Sequence, residues 1–295
     1  MNERRLGAGS ALLAYLALFY GFIVIGVPFQ QHSIVAGLWV TEALAIALPA
    51  VVVIWWAGLK LGPYLGLRAP TAGQMLVAAV VAALNQPVVS LLTFLAHEGL
   101  PAELVAKFDA KQRMLDAFFA GQATPMLITV AIAAPLGEEL FFRGFALPAL
   151  RRSFGTVFAV LVSGALFSAL HMDPVGFVGL LEIGVMLALL RLWSGSLWPS
   201  VLAHAVNNGI AGAAFMLGLE DPDTPPPHWV LVLGTLLLIA ALAAGVRVLW
   251  KRRSATIALE EAGPGRKRWA WALFAFWAVA AAVGTPEAIQ LLRQH

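Results

Sequence analysis

The chain has 295 residues, 60% of them hydrophobic and only 12% charged, with a net charge of +3 and no cysteine. A soluble globular chain carries roughly 25% charged residues, so this one has too little polar surface to face water. The missing cysteine excludes disulfides, thiol nucleophiles and cysteine metal sites, and the small basic excess, gathered at segment ends, reads as orientation signals rather than as a nucleic-acid surface.

In chain order, nine apolar segments are predicted, over residues 10–28, 34–59, 72–96, 124–149, 155–171, 175–193, 196–217, 229–250 and 269–285. Most approach the length of about 20 residues that crosses the ~30 Å hydrocarbon layer. Only helices and closed barrels satisfy the backbone in lipid, and long apolar runs without strict alternation favour helices. The expected fold class is therefore all-α, a polytopic transmembrane helical bundle with about eight or nine spanning helices. The expected organisation is 1–119 for N-terminal transmembrane helices and an interfacial loop helix, 120–217 for a central core, and 218–295 for C-terminal transmembrane helices. The first segment follows Arg4 and Arg5 and ends at Pro28-Phe29-Gln30, which is no small-residue cleavage site, so an uncleaved first helix is expected. Residues Glu103 to Phe119 read as an amphipathic helix lying at the interface. Loop bases such as Arg151, Arg152, Lys251, Arg252 and Arg253 outnumber those on the opposite side, which places the N-terminus in the cytoplasm. The Ala, Leu and Gly richness suggests a bacterial inner-membrane protein.

Ionisable groups at bilayer depth cost a few kcal/mol each on insertion scales and are functional candidates by default. Here they are Glu138, Glu139 and Arg143 in the fourth segment, His171 ending the fifth, Glu182 in the sixth and His204 in the seventh, with Glu42 near the mouth of the second. Glu139 and Arg143 are four apart and share a helix face, so they can pair. Glu138 points about 100° away and is left to hold a water. Pro135 and Gly137 can bend this helix and free a carbonyl. The bland alternative is a charge cluster that glues helices, but two glutamates and one arginine leave a carboxylate over. In the fifth segment Ser163, Phe167 and His171 form one stripe; taken alone, His171 reads as an interface histidine. His204 and Asn208 are one turn apart and can present hydrogen-bonding groups to one point, or equally bond between helices. Glu182 reads as support for a histidine or a partner for an arginine.

Glu138-Glu139-x-x-x-Arg143, Phe167-x-x-x-His171 and His204-x-x-x-Asn208, in that order, resemble the three motifs of the CAAX-protease and bacteriocin-processing peptidases. The stretch from Ser194 to Pro199 ahead of His204 is similar to that family too, and the resemblance covers roughly residues 120–215. It implies an intramembrane endopeptidase whose core is 120–217. Glu138 and His171 would activate the water, and His204 and Asn208 would hold the oxyanion, with Glu139, Arg143 and Phe167 as support. The implied partners are a peptide or protein substrate, possibly lipidated, and the bilayer. The cofactor is either none or a single divalent metal such as zinc, for which Glu138, His171 and His204 are the candidate ligands. The familiar H-E-x-x-H helix is absent, since His97-Glu98-Gly99-Leu100-Pro101 has no second histidine. A glutamate mechanism without metal is therefore preferred.

Two alternatives stand beside this reading: an inactive membrane scaffold or regulator of the same family, and a proton-coupled transporter using the buried acids and histidines as a relay. Rhomboid-like and presenilin-like mechanisms are disfavoured, because there is no Gly-x-Ser-x-Gly elbow and Asp173 has no partner aspartate. One expectation fits poorly. The segment boundaries put Glu138 and His204 in the inner half of the bilayer and His171 near the outer edge, an offset on the order of 10–15 Å.

Overall fold

The structure, a computed structural model, describes residues 6–119 and 121–219 together with 227–233, 235, 236, 239, 275 and 279. Among the described residues the regular structure is helical throughout, with no strand. In chain order the helices are α1 (Ala8–His32), α2 (Ile34–Trp56), α3 (Leu61–Leu65), α4 (Ala72–Gly99), α5 (Ala102–Phe119), α6 (Ala123–Phe154), α7 (Thr156–Leu170), α8 (Phe177–Ser194) and α9 (Trp198–Met216).

Five of them, α1, α2, α4, α6 and α8, are long and apolar enough to cross a membrane. Helix α7 is apolar but has 15 residues, about 22 Å at 1.5 Å per residue, so it falls short of a full crossing. Helix α9 has 19 residues but carries His204, Asn207 and Asn208 mid-length, and it is not among the five. Of the eight or nine spans expected, five candidates therefore stand among the described residues. Of the expected segment 229–250 the structure describes 229–233, 235, 236 and 239, which are helical, and the rest of it, with all of 269–285 but residues 275 and 279, lies outside the described residues.

The boundaries follow local chemistry. Ser33 separates α1 from α2 with extended backbone, and its hydroxyl accepts the Ala36 N–H at 3.4 Å. Thr71 opens α4 with a reciprocal cap: its hydroxyl accepts the Gln74 N–H at 3.3 Å, and the Gln74 side chain accepts the Thr71 N–H at 2.9 Å. Gly155 and Gly195 end α6 and α8 at φ +81° and +64°, where a side chain would be strained.

Four stretches are wound as π-helix: Phe22–Gly26 in α1, Thr41–Ala47 in α2, and Thr129–Ala133 and Leu140–Ala146 in α6. π-Helix is rare and recurs at functional sites.

The described residues gather into two compact units, mainly 6–68 and 136–159 in the first, and 69–135 and 160–219 in the second. The first is centred on Phe141, Phe142 and Phe145, all wholly buried, with Tyr15 and Tyr64 against them. In the second, α4, α8 and α9 pack on one another. Small residues bring α7 and α8 close: a Cβ built on Gly184 would lie 2.7 Å from the Gly164 Cα.

Candidate active site

The acidic motif lies in the first unit. Glu138 and Glu139 end the short α-helical stretch Ala134–Glu139, held between the two π stretches of α6. The Arg143 guanidinium donates to Glu139 Oε1 at 2.6 Å, and both side chains are wholly buried. Arg143 also sits 5.8 Å from the centre of the Phe142 ring. A charge pair wholly removed from solvent cannot fall back on hydration, so each member helps to fix the other. Glu138, also buried, keeps the adjacent position.

Glu42 is not at a helix mouth as its place in the sequence suggested. It is buried within the π stretch of α2 and packs against Gly137. A Cβ at position 137 would collide with the Glu42 carboxylate and come within 2.9 Å of the Glu42 carbonyl oxygen. Glycine is required there because a second acid occupies the space. Residue 137 adjoins Glu138, so the second acid lies beside the acidic motif.

The histidine motifs lie in the second unit. The Phe167 ring stands 5.0 Å from the His171 ring and 5.5 Å from the His204 ring, edge-on to the latter, so one phenyl group carries both imidazoles. The two imidazoles, expected at different depths, thus share one ring as a neighbour, and α7 ends at Leu170 and gives way to the 171–176 turn. In that turn Asp173 accepts the Gly176 N–H at 2.8 Å, and Met172 takes φ +49°. His171 Nδ1 lies 3.0 Å from the Phe167 carbonyl oxygen. A carbonyl only accepts, so Nδ1 carries a proton, and in the neutral ring Nε2 is the nitrogen with the lone pair.

Asn208, one turn beyond His204, donates to the Val130 carbonyl at 2.9 Å. Local sequence explains that acceptor. In the π stretch Ala134 N–H returns to Thr129 O, and the next donor in the ladder would be residue 135. Pro135 has no N–H, so it cannot return to Val130, and a side chain from α9 reaches the carbonyl instead.

Several polar residues went unnoticed in the sequence. Glu182 meets neither a histidine nor an arginine but accepts from Asn85 Nδ2 at 2.7 Å. Gln86 donates to Asn207 Oδ1 at 2.8 Å, and Gln74 donates to the Ser194 carbonyl at 3.3 Å. The signal available was the Asn85-Gln86-Pro87 run inside an otherwise apolar helix. His97, the other histidine weighed for metal chemistry, lies 3.6 Å from Asp109 and stacks edge-on to Phe108. Among the described residues no three His, Cys, Asp or Glu side chains are grouped to hold a metal ion. The candidate zinc set Glu138, His171 and His204 thus gains no support.

Spanning apolar helices that bury acids, imidazoles and amides define an integral membrane protein with a polar interior. Residues 120–210 match the family model described as Type II CAAX prenyl endopeptidase Rce1-like, a family of proteases, and the matched segment holds all three motifs. No curated relative and no solved structure matches the chain.

Proposed function

We propose that the protein is an intramembrane endopeptidase that hydrolyses a peptide bond in a membrane-associated or lipidated peptide or protein. The observation that carries this reading is the pair of imidazoles on Phe167, one of them with its tautomer fixed, inside a segment matched to a protease family.

Hydrolysis requires a deprotonated water, donors for the tetrahedral oxyanion and a proton for the departing amine. In this reading Glu138 takes one proton from the attacking water and returns it to the amine, and His171 Nε2 accepts a hydrogen bond from that water and so aids its activation. His204 and the Asn208 amide donate to the oxyanion. Glu139, locked to Arg143, holds the backbone that presents Glu138. The amphipathic α5 and the apolar helices keep the site in lipid, so the substrate arrives from the membrane. The loop bases orient the N-terminus to the cytoplasm.

The test uses purified full-length protein in liposomes with C-terminally prenylated, acylated and unmodified peptides. Wild type should cleave a lipidated peptide. Glu138→Gln should lose at least about a hundredfold, the lower end of a general-base contribution, while expressing and melting normally. Unchanged cleavage in Glu138→Gln would overturn the assignment. His171→Ala and His204→Ala should follow Glu138→Gln.

A further inference from the structure

We infer that Gln86 and Asn207 are positioning residues for Asn208. A chain of three side-chain amides runs from α4 across α9 to α6 and fixes which end of the Asn208 carboxamide is offered as donor. The inference rests on the proposed peptidase reading for its functional consequence, whereas the chain itself is geometric.

The bonds run in one direction. Gln86 Nε2 donates to Asn207 Oδ1 at 2.8 Å, Asn207 Nδ2 donates to Asn208 Oδ1 at 3.3 Å, and Asn208 Nδ2 donates to Val130 O at 2.9 Å. An asparagine or glutamine amide can turn over and exchange its donor and acceptor ends, and only its bonding partners decide between them. Here both ends of the chain rest on groups that can only accept. At one end is the Val130 carbonyl, left over by Pro135. At the other is the Ala82 carbonyl, which Gln86 Nε2 approaches at 3.3 Å. Each terminus fixes the amide bonded to it, and Asn207, buried between them, has one orientation that satisfies both neighbours.

The consequence bears on Asn208. Its NH2 group holds two hydrogens and Val130 takes one, which leaves the other for a ligand oxygen. Were the carboxamide to turn over, it would present Oδ1 to an oxyanion and repel it. The chain removes that alternative, and aligned amides also polarise one another and strengthen the terminal donor. Gln86 lies 121 positions from Asn207 in sequence, so this contact belongs to the packing of α4 on α9 and not to any local motif.

The test is a double-mutant cycle on the full chain in liposomes, with a lipidated peptide that wild type cleaves. Gln86→Met keeps the length of the side chain and deletes the amide. It should lower kcat on the order of tenfold with KM unchanged, the scale of one hydrogen bond made in the transition state. Asn207→Leu should do the same. In the Asn208→Ala background, adding Gln86→Met should cost nothing further. Equal losses in both backgrounds, or a loss confined to KM, would overturn the inference. Gln86→Glu keeps the shape and the polarity but loses the donor, and serves if Gln86→Met does not fold. If wild type cleaves nothing, the peptidase reading fails on its own. The chain is then judged by thermal unfolding of the same four proteins: non-additive shifts for Gln86→Met and Asn208→Ala uphold it, and additive shifts overturn it.

Discussion

The acidic region around Glu138 and the imidazole and amide region around His204 solve the same problem with different forces. In the first, Glu139 is held by a full charge, the Arg143 guanidinium at 2.6 Å, with both side chains wholly buried. In the second, Asn208 is held by neutral amides and a spare backbone carbonyl. A buried charge pair is rigid but brittle, because either partner left alone is a charge in a medium that cannot solvate it. A neutral chain loses only one hydrogen bond per break. One region should therefore fail as a unit, and the other should lose function by degrees.

The largest expected effect is Arg143→Met, which strands the Glu139 carboxylate. About 3–5 kcal/mol of stability should go, read by thermal unfolding in detergent. The double variant Glu139→Gln with Arg143→Met should recover most of it; no recovery would mean that Arg143 acts chiefly by packing. Next comes the same substitution made in each region. Gly137→Ala drives a methyl against the Glu42 side chain and backbone, and Gly184→Ala drives one against the Gly164 backbone, each costing roughly 1–3 kcal/mol as overpacking. In the acidic region Gly137→Ala should in addition reduce cleavage beyond what its melting shift explains, since it displaces an acid beside Glu138. A smaller effect of opposite sign is expected for Gly209→Ala, whose new Cβ would be 3.9 Å from the Ala131 Cβ, an ordinary contact. It should stabilise α9 by about 0.5–1 kcal/mol in the same melt, and a destabilisation would show that α9 needs the room. Smallest is Asp109→Asn at the His97 pair, which is 3.6 Å long with a 42% exposed carboxylate, and should shift stability by less than about 1 kcal/mol.

The comparison also explains what was legible in the sequence. The Glu139–Arg143 pair follows from a four-residue spacing on one helix, and the Phe167–His171 stripe follows from the same rule, so local periodicity sufficed for both. The helical class was legible because apolar runs of spanning length leave the backbone no other solution. The sharing of Phe167 by His171 and His204 was not, because it depends on how α7 packs on α9 and not on a spacing within one segment. Glu182 was misread because its partner, Asn85, is 97 positions away and is reached only through the packing of α4 on α8. Glu42 looked peripheral because residue 137 carries no side chain to announce the contact. The π stretches are marked in the sequence by prolines, since Pro28, Pro49, Pro135 and Pro148 each stand two residues past the end of one, but the meaning of their missing N–H groups is visible only once the ladder is traced.

Those π stretches change how α6 is to be drawn on paper. Each one accommodates an extra residue, and one residue corresponds to about 100° of rotation in an ordinary helix. A wheel diagram of residues 123–154 is therefore out of phase beyond Ala133, and out of phase again beyond Ala146. Removing a single residue between Thr129 and Ala133 would take up that extra residue and return the stretch to ordinary helix with Glu138 and Glu139 facing as before, whereas the same deletion in the α-helical stretch Ala123–Ile128 would swing both acids by about 100°. For this helix, a change of length by one residue is absorbed inside a π stretch and felt by every residue beyond it elsewhere.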